Sequence, residues 1–151
     1  MDKYYWTLED FENLKKAETM AELLNIALAI LDRMPKPVSL VSGPISTGGR
    51  GSTSQNLKVF AEAIEALAKT GETVFNQLPF EDKFSELSRR SKLSYFMLVL
   101  DDFFLPILKS GKIDKIWFMP GWETSTGAKW EYEQAKKLAI EHDFLDSTDI
   151  G

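Results

Sequence analysis

The chain contains no cysteine and a single histidine among its 151 residues. The first absence removes disulfide scaffolds, thiolate nucleophiles and zinc–thiolate sites. The second removes multi-histidine metal clusters and paired imidazole relays. Neither a metal site nor a cofactor is expected. Chemistry is left to carboxylates, hydroxyls, amides and backbone. Positive charge is also scarce: 18 Lys and Arg stand against 23 Asp and Glu, a formal net charge of −5. That balance disfavours a nucleic-acid polymer, whose binding rests on neutralising many phosphates. Long apolar runs are missing too. The longest, Tyr95 to Leu100 continuing through Phe103, Phe104 and Leu105, is broken by Asp101 and Asp102 and falls short of the roughly 20 residues a bilayer span requires. No membrane partner is expected. The first residues, Met-Asp-Lys-Tyr-Tyr-Trp, lack a signal-peptide pattern, which makes a cytoplasmic location the expectation. What is present, 44% hydrophobic and 27% charged residues, suits one soluble domain with a full core.

Glycine and proline divide the chain into alternating helical and extended pieces, the pattern of an α/β fold. Thr7 opens a polar helical stretch reaching about Ala17, and Thr19 with Glu22 reads as a capping box ahead of an apolar helix to Leu31. Pro35 and Pro37 stop that helix. Val38 to Ser42 reads as the first strand, buried near the sheet centre. A loop of small and hydroxylated residues follows, Ile45 to Ser54, and then a helix with apolar positions at Leu57, Phe60, Ala61, Ile64, Leu67 and Ala68, with Asn56 as N-cap and Gly71 closing its C-terminus. Glu72 to Phe75 is predicted as a second strand. Glu81 to Ser110 reads as mostly helical, with Pro106 implying a restart near Asp101 or Asp102. Ile116 to Met119 is a third strand, leading through Pro120 to Gly127 into a last helix. Residues 1–36 read as an N-terminal helical extension, and residues 37–151 as the α/β domain.

The last helix carries the most chemical information. At about 100° per residue, Ala128, Tyr132, Ala135, Leu138 and Ala139 share one face, and Lys129, Glu133, Lys136 and Lys137 the other. Glu131 points inward with the apolar group. A partly buried carboxylate in the second turn of a helix, aimed at a loop-lined cleft, can be a nucleophile or a general base. It can equally do no more than stabilise the helix N-terminus. His142 reads as lying on the inward side of this helix near its end, in a structural role.

Gly43-Pro44-Ile45 at a strand end, Asn56 with Phe60 and Ala63, Asn76 after the second strand, Asp114 before the third, and Gly121-Trp122-Glu123-x-Ser125-x-Gly127-Ala128-x-x-Glu131 together resemble the nucleoside 2-deoxyribosyltransferase-like superfamily. The nearest likeness is to its DUF4406 branch, over roughly residues 38 to 140. The resemblance implies a Rossmann-like or flavodoxin-like three-layer domain with a mostly parallel sheet of about five strands. It further implies cleavage or transfer at the N-glycosidic bond of a nucleoside or nucleoside 5′-monophosphate. In that scheme Glu131 attacks the anomeric carbon, and Asp114 sits near the sugar and leaving base. The loop Gly43, Pro44, Ile45, Ser46, Thr47, Gly48, Gly49, Arg50 looks like the phosphate-side loop of 5′-monophosphate N-glycosidases, and Ser125 corresponds to their phosphate-contacting serine. The same loop is also readable as a flexible turn with a solvated arginine. Trp122 and Trp130 flank Glu131, where they could stack on a base or pack internally. Homo-oligomerisation is implied as well. The chain departs from the family pattern in its last strand, expected to be short or altered, and in its N-terminal extension. A nucleotide-binding sensor without turnover uses the same cleft and is the competing reading; glycohydrolysis of an NAD-type dinucleotide is a third.

Overall fold

The computed structural model describes residues 5–45, 49, 52–91 and 97–146. The chain divides into two compact units, one formed by Met1–Pro35 with Asn76–Lys112, the other by Lys36–Phe75 with Ile113–Gly151.

The second unit holds a four-stranded sheet, β1 (Val38–Ser42), β2 (Thr73–Val74), β3 (Lys115–Phe118) and β4 (Glu141–Phe144), ordered β2-β1-β3-β4 and parallel at every pairing. This is the α/β, Rossmann-like architecture expected, with four strands where about five were predicted. All five residues of β1 are buried, as a central parallel strand covered on both faces requires. Leu40 pairs with Ile116 and Ser42 with Phe118, which pairs in turn with Phe144. From β1 the chain runs through α3 (Thr53–Lys69) to β2, and from β3 through α6 (Thr126–Leu138) to β4. Because these two crossovers move outward in opposite directions and such connections are right-handed, α3 and α6 cover opposite faces of the sheet.

Local chemistry accounts for the helix ends, with two differences from expectation. The N-cap of α3 is Ser52, whose side chain accepts from Gln55 N; Asn56 lies inside the first turn and is buried. The buried stripe is Asn56, Phe60, Ala63, Ile64 and Leu67, so Ala63 rather than Ala61 faces the sheet. Gly71, at φ +98°, closes the helix as predicted. At the end of α6 it is Ala139, at φ 57°, that adopts the left-handed cap. The chain then enters β4, which places His142 on a strand and not on the helix. The last strand, expected to be short or altered, has four residues and pairs along its length with β3.

In the first unit, α1 (Leu8–Lys16) and α2 (Met20–Arg33) both open with complete capping boxes, Thr7 with Asp10 and Thr19 with Glu22. The exposed carboxyl of Glu22 is held below its ordinary value, chiefly by the Glu18 backbone N–H and then by the Thr19 hydroxyl. Its contribution to stability is present at neutral pH and lost as the pH falls through that lowered value. Asp10, buried, accepts from Thr7 N and is ion-paired with Arg33. The apolar face of α2 buries Met20, Leu23, Ile26, Ala27, Ile30 and Leu31 and packs against a π-helical segment, Met97–Phe104. That segment runs into α5 (Leu105–Lys109), so the restart comes at Leu105, with Pro106 in the first turn where its missing N–H costs nothing. A short 3₁₀ turn, Leu78–Phe80, leads into α4 (Glu81–Arg90), and the aromatic rings of Trp6, Phe80, Phe84, Phe103 and Phe104 form the centre of this unit. Residues 1–35, read from the sequence as part of an N-terminal helical extension over 1–36, share a unit with residues 76–112.

Candidate functional site

Between β1 and β3 the two crossovers diverge, and the carboxyl ends of these strands form the switch point where ligands of open α/β sheets are held. The pairing continues one step beyond the strands, with Met119 N donating to Ser42 O at 2.9 Å. Gly43 then passes tightly against Met119: a Cβ there would lie 2.5 Å from Met119 Sδ and 2.8 Å from Met119 Cβ. Two described residues of the first loop, Ile45 and Gly49, are held by hydrogen bonds. Asn56 Nδ2 donates to Ile45 O at 3.0 Å, which joins Ile45 to α3. Gly49 N donates to Thr124 Oγ1 at 2.8 Å, which links it to the loop after β3. Gly49 has φ +64°, and a Cβ would meet Asn56 Oδ1 at 2.5 Å, so both conformation and space require glycine. Pro44, Gly49, Asn56, Val59, Met119 and Pro120 line a cleft of about 30 Å³ here.

Glu131 enters this edge from α6. Of its helix it shares the buried stripe with Ala128 and Ala135, as the periodicity predicted, and it is only 6% exposed. Ser42 Oγ, on the last residue of β1 and fully buried, donates to Glu131 Oε1 at 2.8 Å. Without such a donor a buried carboxylate would lose its hydration uncompensated. Ser125, also buried, is the N-cap of α6, and its hydroxyl accepts from Ala128 N at 3.2 Å. Gly127, in the first turn, has open space where a Cβ would stand. The positive end of a 13-residue helix therefore faces the same edge as Glu131.

The structure thus brings together Gly43, Pro44, Ile45, Gly49, Asn56, Ser125, Gly127 and Glu131. Ser46, Gly48 and Arg50 lie outside the described residues. Three other expected site residues have these surroundings. Asp114 Oδ2 accepts from Val38 N at 2.8 Å and pairs with Lys36 Nζ at 3.5 Å, which puts it at the amino end of β1. Ser42 and Glu131 are at the carboxyl end, four residues and about 13 Å away. The structure thus places Asp114 against the amino end of β1 and does not bring it to Glu131. Trp122, half-buried on the loop after β3, packs into an aromatic cluster with Tyr132 at 4.8 Å, Phe118 at 5.3 Å and the exposed Phe144 at 5.8 Å. His142 joins the same cluster, edge-on to Tyr132 at 5.4 Å. Asn76 belongs to the other unit, where its Oδ1 accepts from Leu78 N and its carbonyl from Trp6 Nε1. Sequence reasoning missed Ser42 and Thr124. A serine at the last buried position of an otherwise apolar strand, just ahead of Gly-Pro, was the available signal for the first.

The family model for a domain of unknown function, DUF4406, matches residues 38–142. The chain belongs to the DUF4406 family. The match begins with the first residue of β1 and reaches into β4, so it takes in the whole DUF4406 sheet edge described above and leaves out α1 and α2. No curated protein and no solved structure matches the chain. Among the described residues of this DUF4406 protein, no cluster of three or more His, Cys, Asp or Glu could hold a metal ion. No described helix is long and apolar enough to cross a membrane.

Proposed function

We propose that this DUF4406 protein cleaves or transfers at the N-glycosidic bond of a nucleoside or nucleoside 5′-monophosphate, with Glu131 as nucleophile. One observation carries the reading: a buried glutamate on the helix after β3, oriented by a strand hydroxyl at the switch point of a parallel sheet. The motif resemblance to the nucleoside 2-deoxyribosyltransferase-like superfamily, which ends on this same residue, supports it. In the reaction a Glu131 oxygen bonds to C1′ as the C1′–N bond breaks, its electron pair leaving with the base, which takes a proton from water. Water or a second base then attacks C1′ and releases the carboxylate, with net retention of configuration. The N-terminus of α6 and the backbone of the first loop would hold a 5′-phosphate by amide donation. A net charge of −5 disfavours a polymer but not one phosphate held locally, and the chain acts as a homo-oligomer in this reading.

A second reading, a nucleotide-binding module without turnover, is favoured by the remoteness of Asp114 from Glu131. Incubating the purified protein with nucleosides and their 5′-monophosphates separates the two. Free base released from at least one substrate supports the enzyme; ligands recovered intact after long incubation support the binder. Asp114→Ala is a sharper discriminator of the site itself. It removes the acceptor for Val38 N and is expected to cost about 1 kcal/mol of stability, while base release stays within about threefold of wild type. A loss of a hundredfold or more in a folded Asp114→Ala protein would return this aspartate to the catalytic site.

A further inference from the structure

The strand β1 reads Val-Ser-Leu-Val-Ser, and each of its two serines donates to a carboxylate. Ser39 Oγ donates to Glu72 Oε1 at 2.8 Å, and Ser42 Oγ donates to Glu131 Oε1 at 2.8 Å. Three residues apart on a strand, the two side chains leave from opposite faces of the sheet. The Ser39 pair is at the amino end, where Glu72 also accepts from Trp117 Nε1 at 3.3 Å, and it has no place in the switch-point edge. The Ser42 pair is at the carboxyl end, beside Gly43 and Met119. One chemical device is therefore used twice, once away from the candidate site and once inside it.

Taking Glu131 as the nucleophile, on which this inference rests, we propose that Ser42 is its positioning residue. A glutamate side chain has three rotatable bonds, and a helical anchor fixes none of them beyond the first. The hydroxyl of Ser42 holds Oε1 from an inner strand of the sheet, paired on both sides, with both partners shielded from water. This restrains the carboxylate to one orientation at the strand ends, and misplacement by about 1 Å at such a group is worth up to ~10²-fold in rate. The same donor favours the ionised carboxylate over the protonated or esterified form. It thereby assists the second half of the reaction, when the C1′–O bond to Glu131 breaks and the oxygen regains its charge. Ser42 touches neither substrate nor base; it acts through Glu131 alone.

The test uses the full chain, with Ser42→Ala, Ser42→Thr and the control Ser39→Ala. With the nucleoside or nucleotide from which wild type releases base, Ser42→Ala is expected to lower kcat by ~10–100-fold with KM within about threefold. Ser42→Thr, which keeps the hydroxyl, is expected to recover most of that loss, and Ser39→Ala to match wild type. An independent readout needs no substrate: the side-chain carboxyl ¹³C resonance of Glu131, identified by its disappearance in Glu131→Gln, is followed against pH. Its midpoint should move upward in Ser42→Ala and stay in place in Ser39→Ala. If the midpoint moves but wild type releases no base from any substrate, the Ser42–Glu131 coupling is upheld and the glycosidic reading falls. If wild type releases base while Ser42→Ala keeps both the wild-type kcat and the wild-type midpoint, the positioning role is overturned and the nucleophile assignment survives.

Discussion

Glu131→Gln is expected to lower base release by at least ~10³-fold, the scale on which removal of a covalent nucleophile acts, while leaving the protein folded. Glutamine keeps the size and shape of the side chain, and its amide oxygen can still accept the hydrogen bond from Ser42 Oγ. Replacing a buried carboxylate with a neutral amide also lightens the desolvation cost at a position only 6% exposed. What glutamine cannot do is form the ester with C1′ or leave from it as a carboxylate. Stability should therefore remain within about 1 kcal/mol of wild type as activity collapses, and that separation is the content of the prediction. Base release within tenfold of wild type, from a variant with an unchanged thermal transition, would remove Glu131 from the chemistry. Glu131→Ala is the poorer probe, because it opens a cavity and strands the Ser42 hydroxyl together.

The second large effect concerns stability and the other unit. Phe103→Ala should destabilise the protein by about 3–5 kcal/mol. Phe103 is fully buried, and its ring centroid lies 4.9 Å from each of Phe80, Phe84 and Phe104, tilted or edge-on in every case. The alanine removes those ring contacts, each worth about 0.5–1.5 kcal/mol beyond area burial, and leaves a void that rigid neighbours cannot close. For a chain of this length the thermal midpoint should fall by roughly 10 °C. Urea unfolding of the variant against wild type checks this, and a loss below about 1 kcal/mol would mean that the aromatic centre is not what holds the Met1–Pro35 and Asn76–Lys112 unit together.

These two predictions draw on different depths of sequence information. The capping boxes at Thr7 and Thr19, the glycine end of α3 and the inward direction of Glu131 are written locally, in spacings of three and four residues, and could be read directly. The partner of Glu131 could not, since Ser42 lies 89 positions earlier and only the parallel register of β1 with β3 brings them to one edge. Asp114 illustrates the opposite error. It precedes β3 whereas Glu131 follows it, and in a parallel strand–helix unit those positions fall on opposite edges of the sheet. A motif match grouped them; the topology separates them. The end of α6 carries no glycine signal, because its left-handed cap is Ala139, and the periodicity alone therefore extends the helix to His142, which lies on β4. The grouping of residues 1–35 with 76–112 escaped for a further reason. Nothing local in an amphipathic helix such as α2 says which distant segment covers it.

A covalent bond between the sugar and Glu131 is the central step of the proposed reaction. A nucleoside or nucleotide from which wild type releases base, prepared with a 2-fluoro sugar to slow the oxocarbenium-like steps, is mixed with the protein, quenched in acid and analysed by intact mass and peptide mapping. The predicted result is a mass gain of one glycosyl unit, located on the peptide carrying Glu131 and missing from Glu131→Gln. Release of base with no adduct on that peptide, or with the adduct on a different residue, would contradict it.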